Sequence, residues 1–291
     1  MAYLVRGLAR KGSFRVLAVE CREVVEEVRR LQGLSPTATA ALGRALAGVA
    51  LLAADLKSGR VLLQINGGGP LGEILAEGDA EGNLRGTVTN PWVHCEPRNG
   101  KLAVGAVVGR NGFLSVVRDL GLKESYQGSV ALVSGEIARD LAYYLTVSEQ
   151  IPSAVALGVL VDKDGSVKEA GGFMVQRMPT ASEEDITAAE KALSEVPAVT
   201  TMLSEGLRPE EILQRLFPGR IEILETRRLR YRCRCSLERV KAVLLALGRG
   251  ELEEMIRKDE PARVTCHFCR KEYRLSPEEL RDLLEDSEKH S

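Results

Sequence analysis

Four cysteines near the C-terminus constrain this chain more than any other feature of its sequence. They form a C-x-C pair at 233–235 and a C-x-x-C pair at 266–269. Residues two apart on a strand point to the same face, and a C-x-x-C turn brings its two sulfurs to one point. Four thiolates that meet in this way form the closed tetrahedral site preferred by structural zinc. The spacing therefore predicts a zinc site, favoured over free thiols or preformed disulfides, with the ligands Cys233, Cys235, Cys266 and Cys269.

Two roles remain open for such a site. A purely structural zinc centre is one of them, because zinc commonly holds small domains together. A redox switch is the other, because a disulfide closed across C-x-C would be tightly constrained and hence fairly reducible. Nearby positive charges would offset the tetrathiolate centre and favour thiolates after loss of the metal; they are Arg230, Arg232, Arg234, Arg270 and Lys271.

Composition and charge exclude several classes of protein. The chain has 291 residues, 44% hydrophobic and 28% charged, which is globular rather than disordered composition and leaves room for two domains. A net charge of −1 provides no global attraction to nucleic acid or anionic lipid. Basic residues interrupt the N-terminus from Arg6 onward, so we expect no signal peptide and a cytoplasmic location. The apolar segment 38–56 contains Arg44 and Asp55, which favours a buried helix over a membrane span.

Residues 1–178 alternate between short strands and a few helices. Alternation predicts strands over 14–21, 60–65, 72–77, 83–89, 102–108, 113–118 and 129–134, and a hairpin over 154–178. Helical spacing predicts helices over 23–31 and 135–150, and a third that is capped by Thr37 or Thr39 and ends near Asp55. The mixture predicts an α+β domain with a large, mostly antiparallel sheet and packed helices.

The pattern changes at Pro179. Three- and four-residue spacing predicts a helix capped by Ser182, and another that begins at Pro209 and ends before Pro218. We therefore predict an N-terminal domain at 1–178, a helical linker at 179–231 and a small zinc-binding module at 232–291. Within that module we expect a helix from Leu237 to about Lys258.

The linker helices are predicted to be only marginally stable. Helices of about a dozen residues or fewer rarely persist in water unless an apolar face is docked. We expect the following linker residues to lie on the sheet of the N-terminal domain: Ile186, Leu193, Ile212, Leu216 and Phe217.

The remaining motifs indicate little chemistry. Residues 67–72 match G-x-G-x-x-G, but a strand and a turn follow instead of the helix that a dinucleotide site needs, so we interpret them as a glycine-rich turn. His94 and Cys95 are adjacent in an extended segment and point to opposite faces, which argues against a catalytic dyad. Cys21 is predicted to be a small buried hydrophobe. The sequence contains no recognisable set of catalytic acid, base and nucleophile, so we expect that the protein is not an enzyme.

Three N-terminal segments, together with the cysteine pairs, resemble the bacterial redox-regulated heat-shock protein 33 family over essentially the whole chain. The segments are GGGPLGEILAEGDAEGNLRG, YQGSVALVSGEIARDLAYYLTVSEQIPSAVALGV and AGGFMVQRMP. The resemblance implies that the four C-terminal cysteines bind one zinc ion when reduced and form two disulfides when oxidised. It also implies an ATP-independent holdase, dimeric when activated, that binds unfolding proteins in the cytoplasm under oxidative stress. Cys21 and Cys95 lie outside this pattern.

A zinc-ribbon protein that binds nucleic acid is the alternative. In it, basic residues and one tyrosine would contact phosphates and bases: Arg227, Arg228, Arg230, Tyr231, Arg232 and Arg234. The same charges have a simpler interpretation as compensation of the zinc centre together with a solvated face.

Overall fold

The structure is a computed structural model that describes residues 1–97, 100–121, 125–219 and 221–289. The chain divides into two units, Met1–Arg232 and Cys233–Ser291. Each unit contains helices and strands, and the predicted α+β class is confirmed.

The first unit contains two sheets and helices packed against them. Its strands are β1 (Tyr3–Ala9), β2 (Phe14–Glu20), β3 (Arg60–Gly68), β4 (Ile74–Asp79), β5 (Asn83–Val88), β6 (Gly109–Asp119), β7 (Tyr126–Ala131), β8 (Ser153–Val161), β9 (Val167–Arg177), β10 (Ile221–Arg228) and β11 (Arg230–Tyr231). Its helices are α1 (Arg22–Gln32), α2 (Pro36–Ala53), α3 (Val104–Val108), α4 (Ala138–Val147), α5 (Glu183–Glu195), α6 (Val199–Ser204) and α7 (Pro209–Leu216).

The strands are shared between a five-stranded and a six-stranded sheet. The five-stranded sheet has the order β10-β1-β2-β9-β8 and the six-stranded sheet the order β11-β5-β4-β3-β6-β7. Neighbouring strands are antiparallel, apart from the parallel pairing of the two-residue β11 with β5. The predicted antiparallel character is therefore confirmed, although two sheets replace the single large one.

Helix α2 contacts strands of both sheets, including β4 and β8. It is long and apolar enough to cross a membrane, but 89% of it is buried inside the first unit, which is the burial of a core helix. Its N-cap is Ser35, whose hydroxyl accepts a hydrogen bond from the backbone N–H of Ala38 at 3.2 Å. The predicted caps Thr37 and Thr39 lie inside the helix instead. Pro36 at the first position explains the earlier start, since proline suits the first turn of a helix.

The strand predicted over 102–108 is wrong. Residues 104–108 form helix α3, and the buried side chains are Val104, Val107 and Val108, which is helical spacing. The sequence there is apolar or small at almost every position, and such a run does not distinguish a buried strand from a short buried helix.

The predicted linker segment packs on the five-stranded sheet. Helices α5 to α7 share a hydrophobic cluster with β1, β2 and β9. Ile212, Leu216 and Phe217 are at most 3% exposed, while Ile186 and Leu193 are partly buried against the same cluster. The docking expected for these five residues is confirmed. The segment then continues into β10, which pairs with β1 and was not predicted as a strand.

Polar contacts also hold the linker helices on the sheet. Ser182 caps α5 as predicted, and its hydroxyl accepts from the backbone N–H of Asp185 at 3.2 Å. The Asp185 carboxylate accepts from Arg10 Nη1 at 2.7 Å and from Ser13 Oγ at 2.8 Å. Hydrogen bonds from Arg10, Ser13 and Ser182 lower the pKa of Asp185 to about 2. The carboxylate therefore stays charged, and α5 stays tied to the turn between β1 and β2, well into the acid range.

The second unit consists of α8 (Leu237–Ala246), α9 (Arg249–Arg257), β12 (Ala262–Thr265), β13 (Glu272–Leu275) and α10 (Pro277–Lys289). The single helix predicted from Leu237 to about Lys258 is wrong, because it is broken at Gly248, where φ is +99°. Strands β12 and β13 form an antiparallel hairpin. The hydrophobic core of the second unit is small. It comprises Val240, Leu244, Leu252, Ala262, Tyr273, Leu275, Leu280 and Leu283.

Candidate metal centre

The four C-terminal cysteines place their sulfur atoms in one cluster, in which all Sγ atoms lie within 4.8 Å of one another. The Sγ atoms of Cys233 and Cys266 are 3.6 Å apart, and those of Cys235 and Cys269 are 3.4 Å apart. A tetrahedral zinc ion with Zn–S bonds of about 2.3 Å holds its sulfurs about 3.8 Å apart, whereas a disulfide needs about 2.05 Å. The sulfurs are therefore not joined in disulfides, and these two separations are close to the spacing of a tetrahedral zinc site.

The C-x-x-C pair lies in the turn of the β12–β13 hairpin. The backbone N–H of Cys266 donates to the carbonyl of Lys271 at 2.9 Å, and that of Arg270 donates to the carbonyl of Cys266 at 2.9 Å. Arg270 adopts a left-handed conformation with φ +59°, which closes the turn. The hairpin thus determines where Cys266 and Cys269 point.

The C-x-C pair lies in a loop outside any regular strand or helix. Immediately after it, Ser236 caps α8 by accepting from the backbone N–H of Arg239 at 3.3 Å. Arg239 Nη1 also donates to the carbonyl of Arg234 at 2.9 Å, which ties the loop to the first turn of α8. Both sulfurs of the pair reach the cluster, as the spacing predicts, although no sheet aligns them.

Tyr273 belongs to this site and was missed by the sequence analysis. Its hydroxyl donates a hydrogen bond to Cys235 Sγ at 3.2 Å, and its ring lies in the core of the second unit. Lys271 Nζ lies 4.8 Å from the centre of that ring. The only available signal was a tyrosine on the strand that follows the C-x-x-C turn.

The thiols differ in acidity. Partial burial acts to raise the pKa of Cys235, but the bond from Tyr273 and contacts with neighbouring thiols, Cys269 foremost, outweigh it and bring the pKa to about 7. Burial raises the pKa of Cys233, and it raises the pKa of Cys269 to about 12. A divalent cation stabilises the thiolate form of every sulfur it contacts, so this donor set suits a soft metal ion.

The other two cysteines are not members of the cluster. Cys21 is fully buried at the start of α1, and burial raises the pKa of its thiol. The loop with His94 and Cys95 is tied to Thr37 of α2, whose Oγ1 lies 2.8 Å from His94 Nδ1 and accepts from the Cys95 N–H at 3.3 Å. These contacts agree with the packing roles expected for them. Among the described residues, the candidate metal-ligand group contains the four C-terminal cysteines and not His267.

Comparisons with known proteins extend over nearly the whole chain. A family model described as "Hsp33 protein" matches residues 2–276. A 33 kDa chaperonin of Bacillus subtilis is 45% identical over 285 residues, which cover 97% of this chain and 98% of the relative. A 33 kDa chaperonin of Thermodesulfovibrio yellowstonii is 45% identical over 287 residues, covering 98% and 100%. The crystal structure of a 33 kDa chaperonin (heat shock protein 33 homologue) from Thermotoga maritima superimposes with a TM-score of 0.91 at 42% identity, covering 98% of each chain.

Proposed function

This chain belongs to the heat-shock protein 33 family, and from that premise we propose that it is a redox-regulated chaperone that holds unfolding proteins without ATP. In the reduced state the four clustered cysteines bind one zinc ion and the protein is inactive. Hydrogen peroxide takes two electrons from each pair of zinc-bound thiolates, a disulfide forms within each pair, and each peroxide takes up two protons from the solvent and leaves as two water molecules. Zinc is thereby released and the protein becomes active.

The cluster of four sulfurs within 4.8 Å carries this proposal. It lies in a unit of about 60 residues, and hydrophobic burial alone seldom stabilises a domain of that size. When bound, zinc contributes on the order of 10 to 16 kcal/mol of folding free energy in finger-like units. Oxidation of the ligands therefore removes more stability than the small core of this unit supplies, and the unit unfolds.

The docked linker supports the second half of the proposal. The first cysteine follows β11 with only Arg232 between them, so unfolding of the second unit begins directly after the strands that end the linker. Helices α5 to α7 are short and depend on their contact with the five-stranded sheet. Their release exposes the apolar residues that they cover, among them Val16, Phe173 and Val175. A large exposed apolar surface is suited to binding unfolded chains of many sequences.

Partners and location follow from the same proposal. The clients are unfolding proteins in the cytoplasm during oxidative stress, and the activated protein is a homodimer. Neither ATP, a membrane nor nucleic acid takes part, and the protein is not an enzyme.

The contacts of the basic segment before the cysteines favour this proposal over a zinc-ribbon nucleic-acid binder. The Arg227 guanidinium donates to the carbonyl oxygens of Ala53 and Ala54 at 3.0 and 3.1 Å. Arg230 Nε donates to Asn83 Oδ1 at 2.7 Å. Tyr231 is packed against the core of the first unit instead of presenting its ring to a base. These groups make their contacts within the protein itself.

An aggregation-suppression assay without ATP tests the function. We expect the peroxide-oxidised protein to keep a thermally unfolding client in solution, and the reduced, zinc-loaded protein to have little effect. Equal suppression by both forms would contradict redox control. Binding of RNA with a steep salt dependence that survives peroxide treatment would instead support the nucleic-acid alternative.

Tyr273→Phe is expected to lower zinc affinity by roughly tenfold, because outer-shell partners of metal ligands typically contribute 10- to 100-fold to affinity. The change removes the hydroxyl that donates to Cys235 Sγ and keeps the ring in its core position. Competition with a chromophoric chelator measures the affinity. Tyr126→Phe, at a half-exposed tyrosine of the first unit, serves as the control. Unchanged affinity in the Tyr273 variant would show that this hydrogen bond does not support the site.

A further inference from the structure

The outer strands of the two sheets differ in how they are protected from pairing with other chains. Native sheet edges are usually blunted by charge, proline or short length. Strand β10 has the sequence IEILETRR, and β11 has only two residues. Strand β8 has the sequence SAVALGVLV, nine residues without charge or proline. Strand β7 is also uncharged but has six residues. Among the described strands of the first unit, the longest edge without charge or proline is therefore that of β8.

Strand β8 packs on both of its faces, yet eight of its nine residues are not fully buried. Val155, Leu157 and Val159 pack in the core cluster that contains α2, and Ala154 and Ala156 pack in the cluster that contains α5 to α7. Although both faces are thus covered, Val159 is the only buried residue of the strand. Within the described part of the chain, β8 pairs with β9 alone. The edge of β8 opposite β9 is therefore free of strand pairing by the described residues, while helices α2, α4 and α6 pack on the strand.

Helix α6 covers one face of the sheet beside that edge. Gly158 of β8 is the register partner of Gly171 of β9, and α6 packs over both strands. A Cβ atom on Gly158 would lie 2.8 Å from Thr200 Cγ2, and one on Gly171 would lie 3.0 Å from Leu203 Cδ1. Gly158 thus lets a helix of six residues approach closely, whereas a Cβ on Gly171 would first meet the Val19 carbonyl oxygen of β2. A helix this short is not stable alone, so α6 depends on the rest of the linker to stay in place.

We propose that the edge of β8 is a client-binding site, where an extended, uncharged segment of an unfolding protein adds to the five-stranded sheet as a further strand. The inference rests on the proposed function and assigns its binding surface. Hydrogen bonds between backbones do not depend on sequence, which suits clients that share no motif. The apolar, uncharged edge selects segments that are themselves without charge.

Pairing at the edge alone does not hold a client. The net gain from a backbone hydrogen bond, after its loss of bonds to water, is smaller than the conformational entropy lost when a residue of the client is ordered. Added strands gain the rest of their affinity from side chains that fit the neighbouring face. Withdrawal of α6 uncovers that face at Ala154, Ala156 and Gly158. The site is therefore complete only after the linker has left the sheet, which links client binding to oxidation.

The size of the edge favours a client segment over a second folded copy of this chain. A nine-residue strand is about 30 Å long, and strands pair about 5 Å apart. The resulting strip is far smaller than the roughly 800 Å² that each partner buries in a stable interface. An unfolded segment has no rigid body to collide with α4 or the sheet, and it also covers the face that α6 leaves.

Hydrogen exchange on the oxidised full-length protein tests the site with two peptides. The first is an uncharged strand-forming peptide of about ten residues. The second has the same sequence but is N-methylated at alternate backbone amides. This change removes the N–H donors along one edge of the peptide strand and keeps every side chain. We expect the first peptide to slow exchange of the 153–161 amides at least tenfold and to bind at least tenfold more tightly than the second. Equal binding of both peptides, or protection at 126–131 instead, would overturn the proposal. So would β8 protection that rises with protein concentration in the absence of peptide.

A matched pair of variants provides the second measurement. Leu160→Lys places a charge on β8 at a side chain that is 38% exposed, and Tyr126→Lys does the same on the edge strand β7, where the side chain is 51% exposed. We expect Leu160→Lys to weaken peptide binding roughly tenfold and Tyr126→Lys to leave it unchanged. Aggregation suppression by the oxidised wild-type protein is measured alongside. If suppression is present but β8 is neither protected nor sensitive to charge, the edge proposal is wrong and the chaperone function stands. If suppression is absent, both are wrong.

Discussion

Replacing Cys266 and Cys269 together by serine is expected to leave the protein without zinc and to unfold residues 233–289. The change removes two of the four sulfurs that meet within 4.8 Å. The zinc contribution lost, on the order of 10 to 16 kcal/mol in finger-like units, exceeds what a core of this size supplies. Metal analysis should fall from one zinc per chain to none, and hydrogen exchange should show loss of protection in α8, α9 and the β12–β13 hairpin.

The other two cysteines provide the control. Cys21→Ala and Cys95→Ser should each retain one zinc per chain, because neither sulfur lies in the cluster. A zinc content that stays near one after all four clustered cysteines are changed would refute the ligand assignment. Protection of residues 233–289 that persists after zinc is lost would refute the coupling between metal binding and folding.

Ile212→Asp combined with Leu216→Asp is expected to produce holdase activity in the reduced, zinc-loaded protein. Both residues lie on α7 and are 0% and 2% exposed, next to Phe217, whose ring stacks on that of Phe14 at 5.6 Å. Each substitution removes roughly 1.5 to 3 kcal/mol of stabilisation from the burial of an apolar side chain. The unpaired carboxylate that it buries instead destabilises the docked helix further. An eight-residue helix has little stability of its own to offset this. Limited proteolysis should show a mobile linker, and client aggregation should fall without oxidant.

Gln214→Asp combined with Arg215→Gln is the matched control. It lowers the net charge of the same helix by two, as the core variant does, since Gln214→Asp adds one negative charge and Arg215→Gln removes one positive charge, but it does so at exposed positions. It also removes the Arg215–Glu205 ion pair, whose partners are 45% and 47% exposed, and such pairs contribute about 1 kcal/mol or less. This variant should remain inactive until oxidised. If the α7 core variant has a mobile linker but suppresses no aggregation before oxidation, undocking of the linker does not control activity.

Much of the site was predictable because its candidate metal-binding residues occur in pairs with a characteristic short spacing. The C-x-C and C-x-x-C pairs identify four sulfurs, and the structure brings these four together without any of the remaining described His, Asp or Glu side chains. The docking of Ile212, Leu216 and Phe217 was predictable for a similar reason, since short amphipathic helices must bury their apolar face. The hydroxyl of Tyr273 was not predictable, because its contact with Cys235 depends on how the β12–β13 hairpin approaches the C-x-C loop.

The errors in the fold arise where sequence patterns are ambiguous. Residues 102–108 are apolar or small throughout, so nothing local separates helix α3 from a strand. Helical spacing continues on both sides of Gly248, but glycine is a poor helix former, and the positive φ of Gly248 divides α8 from α9. The strands of the N-terminal domain were assigned to one sheet, because alternation shows which residues face a core but not which core they face.

The sequence by itself determined the chemistry of this protein: the donor atoms of the metal site, the α+β class, and the apolar faces of the linker helices. Each of these features depends either on residues that are close together in the chain or on apolar residues that repeat every two to four positions. Such spacings can be counted directly in the sequence. The tertiary structure alone decided the division into two sheets around α2, the pairing of β10 with β1, the bond from Tyr273 to Cys235, and the unprotected edge of β8 beside α6. These depend on contacts between segments far apart in the chain. Such contacts are determined by packing and backbone hydrogen bonding across the whole fold, so they cannot be predicted from a local sequence pattern.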